Sequence, residues 1–85
     1  NTCTLFYTAR GILESKMTLK DAEKALAPFG FCRTHKSYIM NLNKIKEIIP
    51  WFNDTYLLIP FQFEKEEVPV SRHYINTFKS LLRIR

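Results

Sequence analysis

Short blocks of β-branched and aromatic residues recur along the chain, separated by turn-forming residues. Such blocks favour short strands, and we predict strands at residues 3–9, 12–17, 31–35, 45–51, 55–61 and 68–70. Arg10-Gly11 and Asn53-Asp54 are turn candidates between neighbouring strands. Residues 37–44 contain Asn41 and Asn43, which favour turns or a short helix over a long strand.

Two segments have helical spacing instead. The first resembles a capping box that begins at Thr18, with Asp21 in place of the usual glutamate, and should run to about Ala27 and stop at Pro28. The second has Ser71 as its predicted N-cap and an apolar face formed by Tyr74, Ile75, Phe78, Leu81 and Leu82. The fold class is therefore mainly β (α+β), an elongated series of small antiparallel sheets with two short helices.

The composition limits the chain to one small packed domain. It has 85 residues, of which 46% are hydrophobic and 14% aromatic, and disordered chains contain fewer large apolar side chains. Two cysteines are too few for a disulfide framework, and no signal peptide is evident, so we expect a reducing cytoplasm. The apolar runs are too short to span a bilayer, so we expect no membrane association.

Charge is distributed unevenly. The net charge is +5, with an isoelectric point of about 9.4. Residues 25–46 and 68–85 contain basic residues and no acid, whereas Glu64, Glu66 and Glu67 cluster between these stretches. If the two basic stretches fold together, they form a positive surface suited to an anionic partner. A solvated basic face without function is the alternative, and we expect this role for Lys44, Lys46, Lys79 and Arg83.

The residues 32–38 (CRTHKSY) invite a catalytic or metal-binding interpretation. In a strand, Cys32 and His35 lie on opposite faces because their spacing is odd, so a thiol–imidazole pair is disfavoured and Cys32 is expected to be a small buried residue. Cys3, Cys32, His35 and His73 lack the two close ligand pairs of a structural zinc site. With only two glycines and no phosphate-binding loop, we expect no enzyme activity, no cofactor and no metal.

Hydrogen-bond donors suited to DNA are concentrated in two places. The first is the loop region after the strand at residues 31–35, and the second, Ser71-Arg72-His73, follows the last strand. Arginine and lysine can donate to guanine acceptors, and hydroxyls suit phosphate oxygens. Two such groups, each at the end of a strand, predict a nucleic-acid-binding β domain.

The same residues resemble the signatures of the LytTR-type DNA-binding domain. Residues 31–45 (FCRTHKSYIMNLNKI) are similar to its central signature: aromatic, x, Arg, x, His, Arg or Lys, Ser, aromatic, two aliphatic residues, Asn, aliphatic, two variable residues, Ile. Residues 68–74 (VPVSRHY) resemble its second signature. The flanking helices fall in the family's order, so the resemblance covers residues 1–85. The family has two further strands upstream, and we expect the domain to be truncated at its N-terminus with an edge strand exposed.

The resemblance implies the function and the partners. It implies an output domain of bacterial two-component response regulators, behind a phosphorylatable receiver domain, that binds double-stranded promoter DNA as a dimer on paired repeats. Its loops enter successive major grooves. Base contacts would come from Lys36, Arg72 and His35, and phosphate contacts or loop bracing from Arg33, Ser37, Tyr38, Asn41 and Ser71. A further DNA contact would lie near Asn1 and Thr2.

Two of these side chains have a possible structural role as an alternative to DNA binding. His35 is alternatively a core-facing residue whose ring bonds a backbone carbonyl, and Asn41 is better suited to stabilising a turn than to contacting DNA.

Other functions also remain open at this point. A protein-interaction module with an exposed β edge is the main alternative. Single-stranded RNA binding would require exposed aromatic side chains on a sheet face. Trp51 and Phe52 are candidates for such a role, but their position beside Pro50 near a turn predicts that they close the core instead.

Overall fold

The fold is a series of three small antiparallel sheets with two α-helices. The computed structural model describes residues 4–83. The strands are β1 (Thr4–Thr8), β2 (Gly11–Ser15), β3 (Phe31–His35), β4 (Tyr38–Asn41), β5 (Ile45–Trp51), β6 (Thr55–Pro60) and β7 (Val68–Val70), and the helices are α1 (Leu19–Leu26) and α2 (Ile75–Leu82). β1 pairs with β2, β3 pairs with β4, and β5, β6 and β7 form one sheet in that order. The extents of 35 × 24 × 24 Å describe a moderately elongated body, and the predicted fold class is confirmed.

The first sheet is a hairpin that contributes little to the core. Its register runs from Thr4 opposite Ser15 to Thr8 opposite Gly11, whose φ of 122° lies in a region that favours glycine. Leu5, Ile12 and Leu13 remain 53%, 56% and 57% exposed. An isolated two-stranded ribbon cannot bury both of its faces, so its apolar side chains stay in contact with solvent.

Helix α1 begins where the sequence predicts. Thr18 is the N-cap, and its hydroxyl accepts a hydrogen bond from the Asp21 amide at 3.1 Å. A 3₁₀ turn, Ala27–Phe29, follows directly because Pro28 cannot continue the α-helical hydrogen-bond pattern. Gly30, with φ of 89°, then redirects the chain into β3.

The asparagine-rich segment forms both a strand and a turn. β4 ends at Asn41, and a 3₁₀ turn, Leu42–Lys44, follows. The Asn41 side-chain oxygen accepts the Asn43 amide at 2.9 Å, which is the turn-stabilising role expected for this residue. The prediction missed the four-residue strand but identified the turn.

Helix α2 begins later than predicted. Tyr74, not Ser71, is the N-cap, so the assignment of Ser71 as the cap is wrong. The Ser71 amide instead donates to the Thr34 carbonyl at 2.8 Å, and residues 72–74 form a turn before the helix. Leu81, predicted on the apolar face of the helix, is 53% exposed.

The core lies where the three-stranded sheet meets α2. Its buried residues are Met40, Leu58, Val68, Val70, Ile75 and Phe78, and Leu58 and Phe78 are both 0% exposed. β7 ends with Val70 opposite Tyr56, so it does not extend along the tip of the β5–β6 hairpin beyond that pair. Trp51 and Phe52 lie at this tip and are 50% and 70% exposed, so the prediction that they close the core is wrong.

Candidate nucleic-acid interface

The first predicted DNA-facing loop is the tight end of the β3–β4 hairpin. His35 pairs with Tyr38, and Lys36 and Ser37 form the turn between them. Lys36, Ser37 and Tyr38 are exposed, while His35 is half-buried. The hairpin therefore presents a cation, two hydroxyls and an imidazole close together on the surface. We call residues 35–38 the first loop.

Arg33 braces the first loop from within. Its Nε donates to the His35 carbonyl at 2.9 Å, and its Nη2 donates to the Lys36 carbonyl at 2.6 Å. Its Nη1 forms a salt bridge with Oε1 of Glu23 on α1 at 3.1 Å. The Arg33 side chain is only 15% exposed. Of the two roles predicted for Arg33, these contacts are those of a loop brace.

His35 also contributes to the shape of the loop. Its Nδ1 accepts a hydrogen bond from the Ser37 amide at 3.0 Å, so the neutral ring carries its proton on Nε2. The ring packs edge-on against Tyr38, with 5.7 Å between the centroids. The His35 ring contacts the loop through the Ser37 amide and Tyr38, which favours a role in the loop over the core-facing alternative. An Nε2–H group can donate to a phosphate or a base acceptor.

The second predicted loop, residues 71–73, continues into Tyr74 and is shaped by the backbone. We call residues 71–74 the second loop. The Ser71 amide donates to the Thr34 carbonyl, and the Tyr74 amide donates to the Ser71 carbonyl at 2.9 Å. Arg72 and His73 are exposed within this turn. The His73 ring packs edge-on against Tyr74, at 4.8 Å between centroids. The turn thus presents Arg72 at the start of α2, as a second cationic loop.

A β-bulge brings the two loops together. The β3–β4 register shifts between Arg33 and His35, so Thr34 has no partner in that hairpin and its carbonyl is free to accept the Ser71 amide at 2.8 Å. Thr34 is 0% exposed, and its hydroxyl is buried without a hydrogen-bond partner among residues 4–83. The hydrogen bond therefore joins the residue just before the first loop to the residue just before Arg72, although the two segments are distant in sequence.

The electrostatics leave these two cations available. Among residues 4–83, the salt bridges are Arg33 with Glu23 and Lys46 with Glu64, and neither involves Lys36 or Arg72. Lys79, predicted to be only solvated charge, lies 5.9 Å from the Tyr56 ring centroid. Exposed cations without a partner carboxylate are suited to binding an anion.

Cys32 has no part in this surface. It is 5% exposed, and its thiol donates to the Arg33 carbonyl at 3.3 Å. Burial, with a smaller contribution from the Glu23 carboxylate, raises the pKa of the Cys32 thiol and so disfavours the reactive thiolate. The prediction of a small buried residue is confirmed.

Some functional assignments lie outside this geometry, and some participants were missed. Asn1 and Thr2 are outside the described residues, so their suggested DNA contact stays a prediction. Glu23 and Thr34 were not singled out from the sequence, and Tyr74 was predicted only as part of the apolar face of the second helix. Each contributes through a contact with a residue distant in the chain, and no local pattern signals such a contact. Within residues 4–83, helices long and apolar enough to cross a membrane do not occur.

Comparison with known proteins identifies the class. The model of the LytTr DNA-binding domain family matches residues 1–83. The transcriptional regulatory protein YpdB of Escherichia coli K12 is 41% identical over 81 residues, which are 95% of this chain and 33% of that protein. The sensory transduction protein LytT of Bacillus cereus is 52% identical over 67 residues, 79% of this chain and 26% of that protein.

A solved structure supports the same assignment. The LytTr DNA-binding domain of a response regulator from Bacillus cereus superimposes with a TM-score of 0.72 at 27% identity, covering 96% of this chain and 97% of that one. The chain belongs to the LytTr DNA-binding domain family. It spans about a third or less of the length of the curated relatives it matches. The family is one of DNA-binding domains of transcriptional regulators and not of enzymes, in accord with the sequence prediction.

Proposed function

We propose that this domain binds double-stranded promoter DNA in a sequence-specific manner, as the output domain of a bacterial two-component regulator in the cytoplasm. The observation that carries the proposal is the hydrogen bond between Ser71 and Thr34, because it ties together the backbone segments that lead into two cationic turns. Lys36 and Arg72 project from these turns and are exposed. Such turns have the size and charge to enter a major groove, whose base edges carry acceptors for lysine and arginine.

We assign the side chains by their exposure. Lys36 and Arg72 read bases, and His35 adds a donor through Nε2. Ser37, Tyr38 and Ser71 lie in or beside the turns and suit phosphate oxygens. Arg33 and Asn41 brace the loop and the following turn, since their polar groups are already engaged with the backbone.

The regulatory setting is part of the proposal. LytT and YpdB are named as a sensory transduction protein and a transcriptional regulatory protein, and the chain matches only part of each. We propose a receiver domain elsewhere in the full-length protein and a pair of copies on two repeats. Two copies of the domain would bring two pairs of loops to the duplex and would double the number of base contacts.

The test is to select duplexes that bind the domain from a random library and then to measure the affinity of the selected duplexes by titration. We expect a short enriched sequence and, if two copies bind, its repetition at a spacing close to the helical turn. Affinity should fall steeply when salt rises from about 50 to 200 mM, as expected for a protein that neutralises several phosphates. Absence of any enriched sequence would contradict the proposal.

A second candidate is a protein-interaction module, favoured by the exposure of Leu5, Ile12 and Leu13 on the β1–β2 hairpin. Apolar side chains that remain over half exposed are common in protein interfaces. An interaction through this hairpin would be insensitive to salt and unaffected by loss of Lys36 or Arg72. The same titration therefore separates the two functions.

A further inference from the structure

Arg33 contacts both cationic loops and a helix that carries neither of them. We infer that Arg33, held by Glu23 and Tyr74, is a positioning residue that sets DNA sequence specificity without contacting DNA. The inference rests on the proposed function and extends it to residues inside the domain. Its physical basis is the geometry of one guanidinium group and its four partners.

The contacts with the first loop use the forked shape of the guanidinium. Nε and Nη2 donate to the carbonyls of His35 and Lys36, at 2.9 and 2.6 Å. These carbonyls belong to the residue before the turn and to the first residue of the turn. Two fixed donors on two adjacent carbonyls restrict the backbone that carries the Lys36 side chain. A lysine ammonium is a point charge on a flexible stem and lacks this paired geometry.

Glu23 binds the remaining nitrogen, Nη1, of the Arg33 guanidinium. Its Oε1 accepts from Arg33 Nη1 at 3.1 Å, and its side chain is 43% exposed, so the pair contributes mainly orientation. The carboxylate neutralises the guanidinium next to the predicted DNA-facing surface. With only 15% of its side chain exposed, Arg33 is poorly placed to bind a phosphate itself. Burial and neutralisation both support a positioning role over a DNA contact.

Tyr74 extends the network to the second loop. The Arg33 Cζ lies 6.0 Å from the Tyr74 ring centroid, at the limit of a cation–π contact. The Tyr74 amide closes the turn that presents Arg72 by donating to the Ser71 carbonyl. The Arg33 side chain therefore contacts both the backbone of the first loop and Tyr74 of the second loop. Through these contacts it can fix the position of the two loops relative to each other.

This arrangement predicts a separation of specificity from affinity. Base readout requires donors placed accurately, whereas attraction to the phosphate backbone depends on charge alone. Arg33→Lys preserves the net charge and removes the fork. We expect it to weaken binding to the selected duplex by about tenfold, the size of losing one good base contact, while binding to random duplex changes less than about twofold. Glu23→Gln should produce a smaller change in the ratio of the affinity for the selected duplex to the affinity for random duplex.

Arg10→Lys and Glu14→Gln are the matched controls, because Arg10 and Glu14 are exposed residues of the β1–β2 hairpin. They make the same chemical changes away from the loops and should leave the ratio unchanged. Affinity for random duplex, measured on the same sample, corrects for any unfolded fraction, which would lower both affinities equally. A ratio that stays at the parent value in Arg33→Lys would overturn the inference.

A double-mutant cycle and a measurement without DNA complete the test. Lys36→Ala should cost less in the Arg33→Lys background than in the parent, because a misplaced lysine contributes less. Hydrogen exchange at the Ser37 amide should accelerate in Arg33→Lys, while exchange in Arg10→Lys stays at the parent rate. Unchanged exchange at the Ser37 amide in Arg33→Lys would contradict the bracing role of Arg33, whether or not the domain binds DNA. Failure of the parent domain to bind any duplex specifically would contradict only the proposed function.

Discussion

The two cationic loops are held by different kinds of contact. In the first loop, side chains determine the shape: Arg33 donates to two carbonyls, and His35 accepts the Ser37 amide. In the second loop, backbone groups determine it, through the Ser71 amide and carbonyl and the start of α2. The first loop is thus encoded by residues within and next to it. The second takes its shape from the strand and helix on either side.

The two loops should therefore be sensitive to different kinds of substitution. The first loop should respond to substitutions of polar side chains that leave the core intact. The second should respond to changes in the packing of α2 or in its backbone hydrogen bonds. Substitutions of Lys36 and Arg72 should affect binding and leave stability almost unchanged.

The largest expected effect comes from the core beneath the second loop. Phe78 is 0% exposed and packs against Tyr56, with 5.9 Å between ring centroids. Phe78→Ala should lower the free energy of unfolding by about 3–5 kcal/mol, because it removes buried apolar surface and leaves a cavity. Urea denaturation measures the change. Leu81→Ala on the same helix is the control, since Leu81 is 53% exposed, and an equal loss there would contradict the assigned core.

The next effect concerns DNA binding through the two cations. Arg72→Ala should weaken binding to the selected duplex by about 1–3 kcal/mol and relax specificity at one base pair. Lys36→Ala should act at a different base pair, because it projects from the other loop. Fluorescence anisotropy with single-base variants of the duplex measures both. Lys44→Ala is the control and should weaken all sequences evenly or not at all, whereas unchanged binding by Arg72→Ala would exclude the role given to that residue.

The third effect tests the backbone link between the loops. Ser71→Pro removes the amide that donates to the Thr34 carbonyl at 2.8 Å and should lower stability by about 1–3 kcal/mol, since it leaves a buried carbonyl without its partner. Thermal unfolding measures the loss. Ser71→Ala retains the amide and should stay close to the parent. Equal losses in both variants would assign the stability to the hydroxyl group instead.

The smallest effect concerns the internal hydrogen bond of the first loop. His35→Ala removes the acceptor of the Ser37 amide and should cost about 0.5–1.5 kcal/mol, the net value of one hydrogen bond. His35→Asn supplies a side-chain oxygen near the position of Nδ1 and should recover part of the loss. Chemical denaturation compares the two variants. An asparagine variant less stable than the alanine variant would argue against the acceptor role.

Much of the local structure could be predicted from the sequence. The strands other than β4, the Thr18 cap and the Asn41 turn follow from preferences of adjacent residues. The errors at Ser71, Trp51 and Phe52 arose where a distant strand decides the outcome. Ser71 is engaged by Thr34, and the hairpin tip lies beyond the end of β7.

The candidate site divides in the same way. The sequence has hydrogen-bond donors concentrated in two segments, and the family resemblance predicts Lys36 and Arg72 as the base-contacting cations among them. It contained no sign that Thr34 would join the segments or that Glu23 and Tyr74 would meet Arg33. The contact of Thr34 with Ser71 occurs at the bulge in β3, where Thr34 has no partner in the β3–β4 register.

The sequence alone was sufficient to predict the type of most elements, the positive charge and the candidate residues for DNA binding, because these depend on composition and on neighbours along the chain. The tertiary structure was needed to show that Thr34 is hydrogen-bonded to Ser71, that Arg33 is engaged internally and that Trp51 and Phe52 are exposed. The physical reason is that a hydrogen bond or a salt bridge between distant residues requires both partners at a defined separation. That separation is set by strand register and helix packing, which the whole fold establishes together.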